Sequence, residues 1–505
     1  MHGQHDKRFD WFAIFTNTDL TPLVDELLAT TCALLGKSNQ GASKAKREDA
    51  LRAIARHVLC ALFITHQQAR YHKQTLSVSI PLHKRHYHPT DPNKIPYVYP
   101  NKVEAVFKAL IHLGWVVAEK GKYRSSFKMN VTVMQVQTSL AIKFAALDMH
   151  WLQQLPIEPG KLVEVRQKDI DTQQKINLPL DSFDEQDVIQ RYQHNLYRIN
   201  QHLIQQCIHL DVTDTQLADV LVRTSVNEQT KQTHEQVIDI SQVQLRRIFS
   251  KGQLDKVGRF YGGWWQHLSG EHRPVIRINN KKTIEMDYSG IAINIIYALK
   301  HVPLSAQVDP YNIGLPDWQG KDDKRRPVIK QAFNAFINDA KGNYRLSARS
   351  IKVLGCNTQA LKDKIIHKHP VMSDVFATDI GLQAQYLDSC VAEDVMLSLL
   401  DLGITCLPIH DSFIVTASHY GILAQQMHKS FTKVMGAAIG ISEEVIKSHR
   451  SLEIRNADME KRAKGADVLT VEQLRQELDF VEQGNLMQQY YKSYLTETQA
   501  LDSLD

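Results

Sequence analysis

The chain has 505 residues, 43% hydrophobic and 23% charged, with a formal net charge of +5 and a sequence pI of about 8.6. That is enough chain for two to four domains with a substantial core, and the composition excludes a disordered or collagen-like protein. The six cysteines, at 32, 60, 207, 356, 390 and 406, form no CxxC and no zinc-ligand grouping, and no apolar run reaches transmembrane length. A cytoplasmic protein with reduced thiols and no membrane contact is expected.

Residues 1–160 read as a mostly helical region with a winged-helix-like module. Asp19 to Leu35 and Lys46 to Ile64 carry apolar residues at helical spacing, separated by a polar stretch from Ser38 to Ser43. Residues 83–101, rich in His, Pro, Tyr and Lys, read as an irregular loop. An amphipathic helix from Asn101 to Leu113 is followed by a short strand, a glycine turn and a second β segment, Phe127 to Met134. This is the outline of a winged helix whose wing carries Lys120, Lys122 and Arg124. From Pro81 to Asn130 nine Lys and Arg stand against three acids, the electrostatic footprint of phosphate contacts. The module reads either as a DNA-binding wing or as a purely structural unit.

Residues 161–254 read as a helical linker or thumb-like region. The stretch 160–180 is polar and strand-poor, and Asp184 to Leu210 is amphipathic, with Val188, Tyr192, Leu196, Ile199, Leu203 and Cys207 at helical spacing. Beyond it, Phe260 to Trp265 is dense in aromatics beside Arg259. Such rings either stack on bases or fill a core.

Residues 255–450 hold three stretches that bear on chemistry. Thr283 to Gly290 alternates apolar and acidic residues, the pattern of a half-buried strand, and Asp287 falls where that strand stops. Ser289 is a candidate N-cap for an apolar helix, Ile291 to Leu299. In Arg325-Arg326-Pro327 the proline opens a helix near Arg326, which puts Arg326 and Lys330 on one face at its positive end. Cations and free backbone N–H groups there suit a triphosphate; the other reading is a solvated basic turn. Ile404 to Val415 reads as a β-hairpin with His410-Asp411-Ser412 at its tip. Two carboxylates on adjacent strand ends, Asp287 and Asp411, either hold two divalent ions for phosphoryl transfer or are ordinary turn residues. Residues 451–505 read as a charged helical tail, with a capping box at Thr470 and three tyrosines, Tyr490, Tyr491 and Tyr494, near its end.

Taken together and in this order, these stretches resemble the palm and fingers of family A DNA polymerases and of the single-subunit RNA polymerases of phage and mitochondria. Asp287-Tyr288-Ser289 resembles motif A of the DNA enzymes, Arg326 to Lys330 the motif B helix, and His410-Asp411-Ser412-Phe413 motif C in its RNA-polymerase form. Asp309-Pro310-Tyr311 is similar to the acidic-aromatic element after motif A, Asp388-Ser389 to a pair upstream of motif C, and Gly258-Arg259 to the arginine that touches the primer end. The resemblance covers roughly residues 255–430.

It implies an α+β right-hand palm with helical fingers, and template-directed nucleotidyl transfer with a DNA template and nucleoside triphosphates as partners. Two Mg2+ ions are implied as cofactors, on Asp287, Asp411 and the carbonyl of Tyr288. Lys330 and Arg326 would take the β and γ phosphates, and His410 would orient the primer end. The chain also departs from the pattern. Asn338 stands where both families place a tyrosine, eight residues after the lysine. Ala292 stands where the DNA enzymes carry a glutamate that blocks the ribose 2′-hydroxyl. Lys330 and Asp411 are only 81 residues apart, which implies reduced fingers. Three readings follow: an RNA polymerase or primase-like enzyme of a phage or mobile element, a plasmid or phage DNA polymerase, and a DNA-binding replication or regulatory protein without catalysis.

Overall fold

The computed structural model describes residues 6–8, 20–36, 42–72, 77–80, 100–124, 129–147, 156–169, 171, 175–212, 216, 220–226, 233–304 and 309–442. The fold mixes helices with several sheets, whose pairings are antiparallel except β1 with β2 and β5 with β10. It agrees with an α+β expectation at that level. The proposed loop at 83–101 and the tail at 451–505, with its capping box and tyrosines, lie outside the described residues or nearly so.

The N-terminal unit contains β1 (Asp6–Arg8), α1 (Thr21–Leu35), α2 (Ala42–His72), β2 (Ser77–Ile80), α3 (Pro100–His112), β3 (Val116–Arg124), β4 (Met129–Val136) and α4 (Thr138–Ala145). Its sheet runs β1-β2-β4-β3. The apolar stripes of α1, α2 and α3 close over that sheet around Leu27, Leu59, Val106, Leu110, Trp115 and Phe144. Helix, helix, strand, helix and hairpin follow one another in this unit. A register shift between Glu119 and Lys122 marks a bulge in β3, which sharpens the local twist of the hairpin.

The next region departs from expectation. Residues 160–180 form β5 (Val163–Lys168) and β6 (Lys175–Leu178), where Val163 and Val165 point inward and Glu164 and Arg166 outward. Helix α5 spans Gln186–Ile204 and stops short of Cys207. There the chain enters β7 (Ile208–Leu210), followed by β8 (Val222–Val226), β9 (Thr233–Val237) and β10 (Arg246–Phe249). Residues 161–254 are therefore as much strand as helix. Nor do they form a separate arm, because β10 pairs with β11 (Arg259–Tyr261) and β7 with β12 (Ile276–Ile278). Helix α5 packs on the body: Asn200 exchanges hydrogen bonds with the Leu245 backbone, and Asn195 donates to Glu393.

The central sheet runs β14 (Leu407–Ile409), β15 (Ser412–Thr416), β13 (Lys281–Tyr288), β12 and β7, with β16 (Ile441–Ser442) pairing the end of β13. Helices α6 (Ile291–Leu299), α7 (Arg326–Asn338), α8 (Ala348–Leu354), α9 (Thr358–Lys368), α10 (Ile380–Leu400) and α11 (Tyr420–Met435) follow or separate these strands. Ile284, Met286 and Tyr288 point into a core shared with α10 and α11, through Val391, Val395, Leu423, Met427 and Phe431. Trp264 and Trp265 are fully buried in that core, so the aromatic cluster is packing. Helix α11 ends at Met435, capped by Gly436, and the chain goes on to β16. A smaller cluster around Ile296, Tyr311, Phe333, Phe336, Leu361 and Ile365 is built by α6, α7 and α9.

Candidate active site

Strands β13 and β15 pair from Thr283 opposite Thr416 to Asp287 opposite Ser412. Asp411 is the residue before Ser412, so this register sets the backbones of Asp287 and Asp411 side by side at neighbouring strand ends. On its other edge Asp287 pairs with Ser442, which fixes the strand end from both sides. The alternation of β13 turns Glu285 and Asp287 to the face opposite the Met286 core. Glu285 is already satisfied, accepting from Ser412 Oγ at 2.6 Å and from Arg273 Nη1 at 2.7 Å.

The hairpin turns through only two residues, His410 and Asp411, and His410 takes φ 59. Two-residue turns favour glycine at such a position, and a side chain there costs on the order of 1 kcal/mol. The His410 ring meets Tyr261 edge-on at 5.4 Å, and its Nδ1 is buried without a hydrogen-bond partner. Burial above all, then Arg259, and Arg273 against the opposing pull of Asp411, push its pKa down to about 4. His410 is neutral at neutral pH.

Arg259 and the Asp388-Ser389 pair, 129 residues apart, meet. Arg259 donates to Asp388 Oδ2 from Nε at 2.9 Å and from Nη2 at 2.6 Å. The other oxygen of Asp388, Oδ1, is buried with no hydrogen-bond partner. Burial pushes the Asp388 carboxyl up to about 6, with Arg259 opposing and Asp411 adding to the rise. One layer behind, the fully buried Arg247 holds this arrangement. It donates to the Gly258 carbonyl at 2.9 Å, Ser389 Oγ at 3.1 Å and Glu393 at 2.7 Å, and lies over the Tyr192 ring at 4.0 Å. Sequence reasoning passed over Arg247. Its only local signal is an arginine in register with the inward-facing Phe249 of β10.

Asp309-Pro310-Tyr311 connects the carboxylates to α7. Tyr311 is buried edge-to-face against Phe333 at 6.4 Å. Burial raises its pKa; Arg326 opposes, while Asp411, Asp287 and Asp309 add to the rise, so all four charges face this phenol. Helix α7 opens at Arg326 as expected, and just ahead of it Asp323 accepts from the Arg325 backbone N–H at 2.8 Å. Arg326 forms a two-pronged pair with Asp309, Nε to Oδ2 at 2.9 Å and Nη2 to Oδ1 at 3.2 Å. Lys330, one turn on and half-buried, has no ion-pair partner among the described residues.

The remaining expected residues take different places. Helix α6 is capped by Gly290 at φ 64, not by Ser289, because the chain must turn sharply where Pro310 packs against it. Ala292 lies half-buried against the α6–α7 cluster. Asn338, the last residue of α7, accepts from Gln385 at 3.1 Å and fills the space over Gly381, so it ties α7 to α10. The backbones of Lys120, Lys122 and Arg124 lie in β3. Their side chains fall outside the described residues.

The donor set suits Mg2+. Asp287 and Asp411 offer oxygen ligands, and the Tyr288 carbonyl follows Asp287 at the strand end while its ring is anchored in the core. Among the described residues no group of three or more His, Cys, Asp or Glu forms a metal cage on its own. Oxygen donors are the ligands Mg2+ takes, with waters and substrate phosphates in the rest of its shell. No helix among the described residues is long and apolar enough to cross a membrane. Comparison of the chain with protein-family models and with curated proteins finds no match.

Proposed function

We propose that this chain is a template-directed nucleotidyltransferase, RNA polymerase or primase-like in type, built on a palm formed by the central sheet and reduced fingers formed by α6 to α9. The observation that carries this reading is the β13–β15 register, which brings Asp287 and Asp411 to neighbouring strand ends beside a helix that opens with Arg326 and Lys330. The residues fit two Mg2+ ions, whose contribution when bound is to stabilise charge developing on the transferred phosphate. Asp287 and Asp411 would hold them, with the Tyr288 carbonyl beside Asp287.

Lys330 would be the donor to the leaving pyrophosphate, since among the described residues no carboxylate pairs with it. His410, neutral and fixed in a tight turn, would orient a primer end, with Arg259 held nearby by Asp388. Ala292 leaves room for a ribose 2′-hydroxyl. Primer extension with separate NTP and dNTP pools tests the reading. Incorporation of NTPs is expected, and Asp287→Asn or Asp411→Asn should abolish it while nucleic-acid binding persists, because each removes a charged ligand from a pre-built site. Use of dNTPs alone would favour a DNA polymerase. Full activity in either variant would remove the palm assignment.

A further inference from the structure

The phosphate-binding arginine of this site is already occupied by a carboxylate. We propose that Asp309 stands in for phosphate in the fork of Arg326 and is displaced when a triphosphate arrives, so that Asp309 sets the affinity for nucleotide. This rests on the reading of Arg326 and Lys330 as a phosphate-binding pair.

A carboxylate and a phosphate present the same two-oxygen edge to a guanidinium, so each can replace the other without moving the arginine. The Arg326 and Asp309 side chains are 18% and 20% exposed, whereas Arg247 is closed off entirely and Asp388 is 3% exposed. Both side chains of the Arg326 pair are therefore partly open to a ligand. Two features make the exchange inexpensive. The Tyr311 ring lies 5.1 Å from the guanidinium and holds it when the carboxylate leaves. Asp309 in turn keeps an acceptor role, because its Oδ1 takes the Tyr311 backbone N–H at 3.1 Å. The segment itself does not follow. Pro310 O is bonded to His369 Nε2 at 2.7 Å, and Pro310 packs against Gly290. An incoming polyphosphate gains Lys330 as well, which has no ion-pair partner among the described residues.

The test is calorimetric titration of the full chain with inorganic tripolyphosphate, which needs neither template nor turnover. Asp309→Asn is expected to bind about fivefold more tightly than wild type, the factor that loss of a competing, partly exposed pair supplies. Asp309→Ser keeps a hydroxyl for the Tyr311 amide and should behave alike, which guards against a local folding defect in either variant. Arg326→Gln should bind most weakly, and adding Asp309→Asn to it should change nothing further, which separates direct competition from a general loss of negative charge. Equal or weaker binding by both Asp309 variants, with Arg326→Gln still defective, overturns the proposal alone. A tightening that persists in the double variant also overturns it. If wild type and the Asp309 variants all fail to bind, the phosphate-binding reading falls and the proposal falls with it.

Discussion

His209, in the middle of β7, is 3% exposed, and neither ring nitrogen makes a hydrogen bond of normal geometry. Burial pushes its pKa down to about 4, only partly offset by the Leu210 backbone and Asp211. The sign follows directly. The unfolded chain binds this proton first as pH falls, so stability is lost between the ordinary value of about 6.5 and pH 4, up to about 3 kcal/mol in all. Asp388 works in the opposite direction, since its raised pKa, about 6, makes the folded state the better proton acceptor between there and the ordinary carboxyl value of 3.8. Comparing His209→Leu with wild type isolates the histidine. The urea midpoint of the variant should exceed that of wild type by more at pH 4.5 than at pH 7.5. An equal gap at both would mean that the ring is not held neutral by burial.

At the scale of elements, the junction between β13 and α6 depends on Gly290. Its φ is 64, and a Cβ there would stand 2.8 Å from Pro310 Cγ. Gly290→Ala should cost about 1–3 kcal/mol in chemical denaturation and shift the Asp309–Tyr311 segment, slowing incorporation. The β3–β4 hairpin carries a separate expectation. Reversing Lys120, Lys122 and Arg124 should weaken duplex binding and flatten its salt dependence, because phosphate contacts release counterions; an unchanged slope would leave the hairpin with a structural role only. Period-two alternation made β13 legible, and apolar runs around a polar tip made the β14–β15 hairpin legible. The β5–β6 pair is hard to read because β6 has only four residues and, although Ile176 and Leu178 alternate with Lys175 and Asn177, none of them is fully buried. The Arg326–Asp309 pair spans 17 residues and Arg247–Glu393 spans 146, beyond any local periodicity. Arg247 hides for a second reason: it occupies an inward position that the strand rule assigns to an apolar side chain.

At the scale of the whole molecule, the core around Leu27, Val106 and Phe144 draws on residues 20 to 144, whereas the central core begins at Ile157. Two cores without shared residues predict two calorimetric unfolding transitions. Leu110→Ala, at a fully buried position, should lower one of them by the equivalent of about 2–5 kcal/mol and leave the other in place. A single transition that shifts as a whole would show the two cores to be coupled.

The central sheet collects its strands from positions 208 to 442. During synthesis at roughly 5–20 residues per second, the N-terminal core is complete some 15 to 60 seconds before Ser442 leaves the ribosome. For that interval the chain carries one finished unit and an unclosed sheet, with β13 waiting for β15 and then for β16. A product truncated before β16 would thus keep the first unit intact while lacking the strand that pairs the backbone of Asp287 on its second edge.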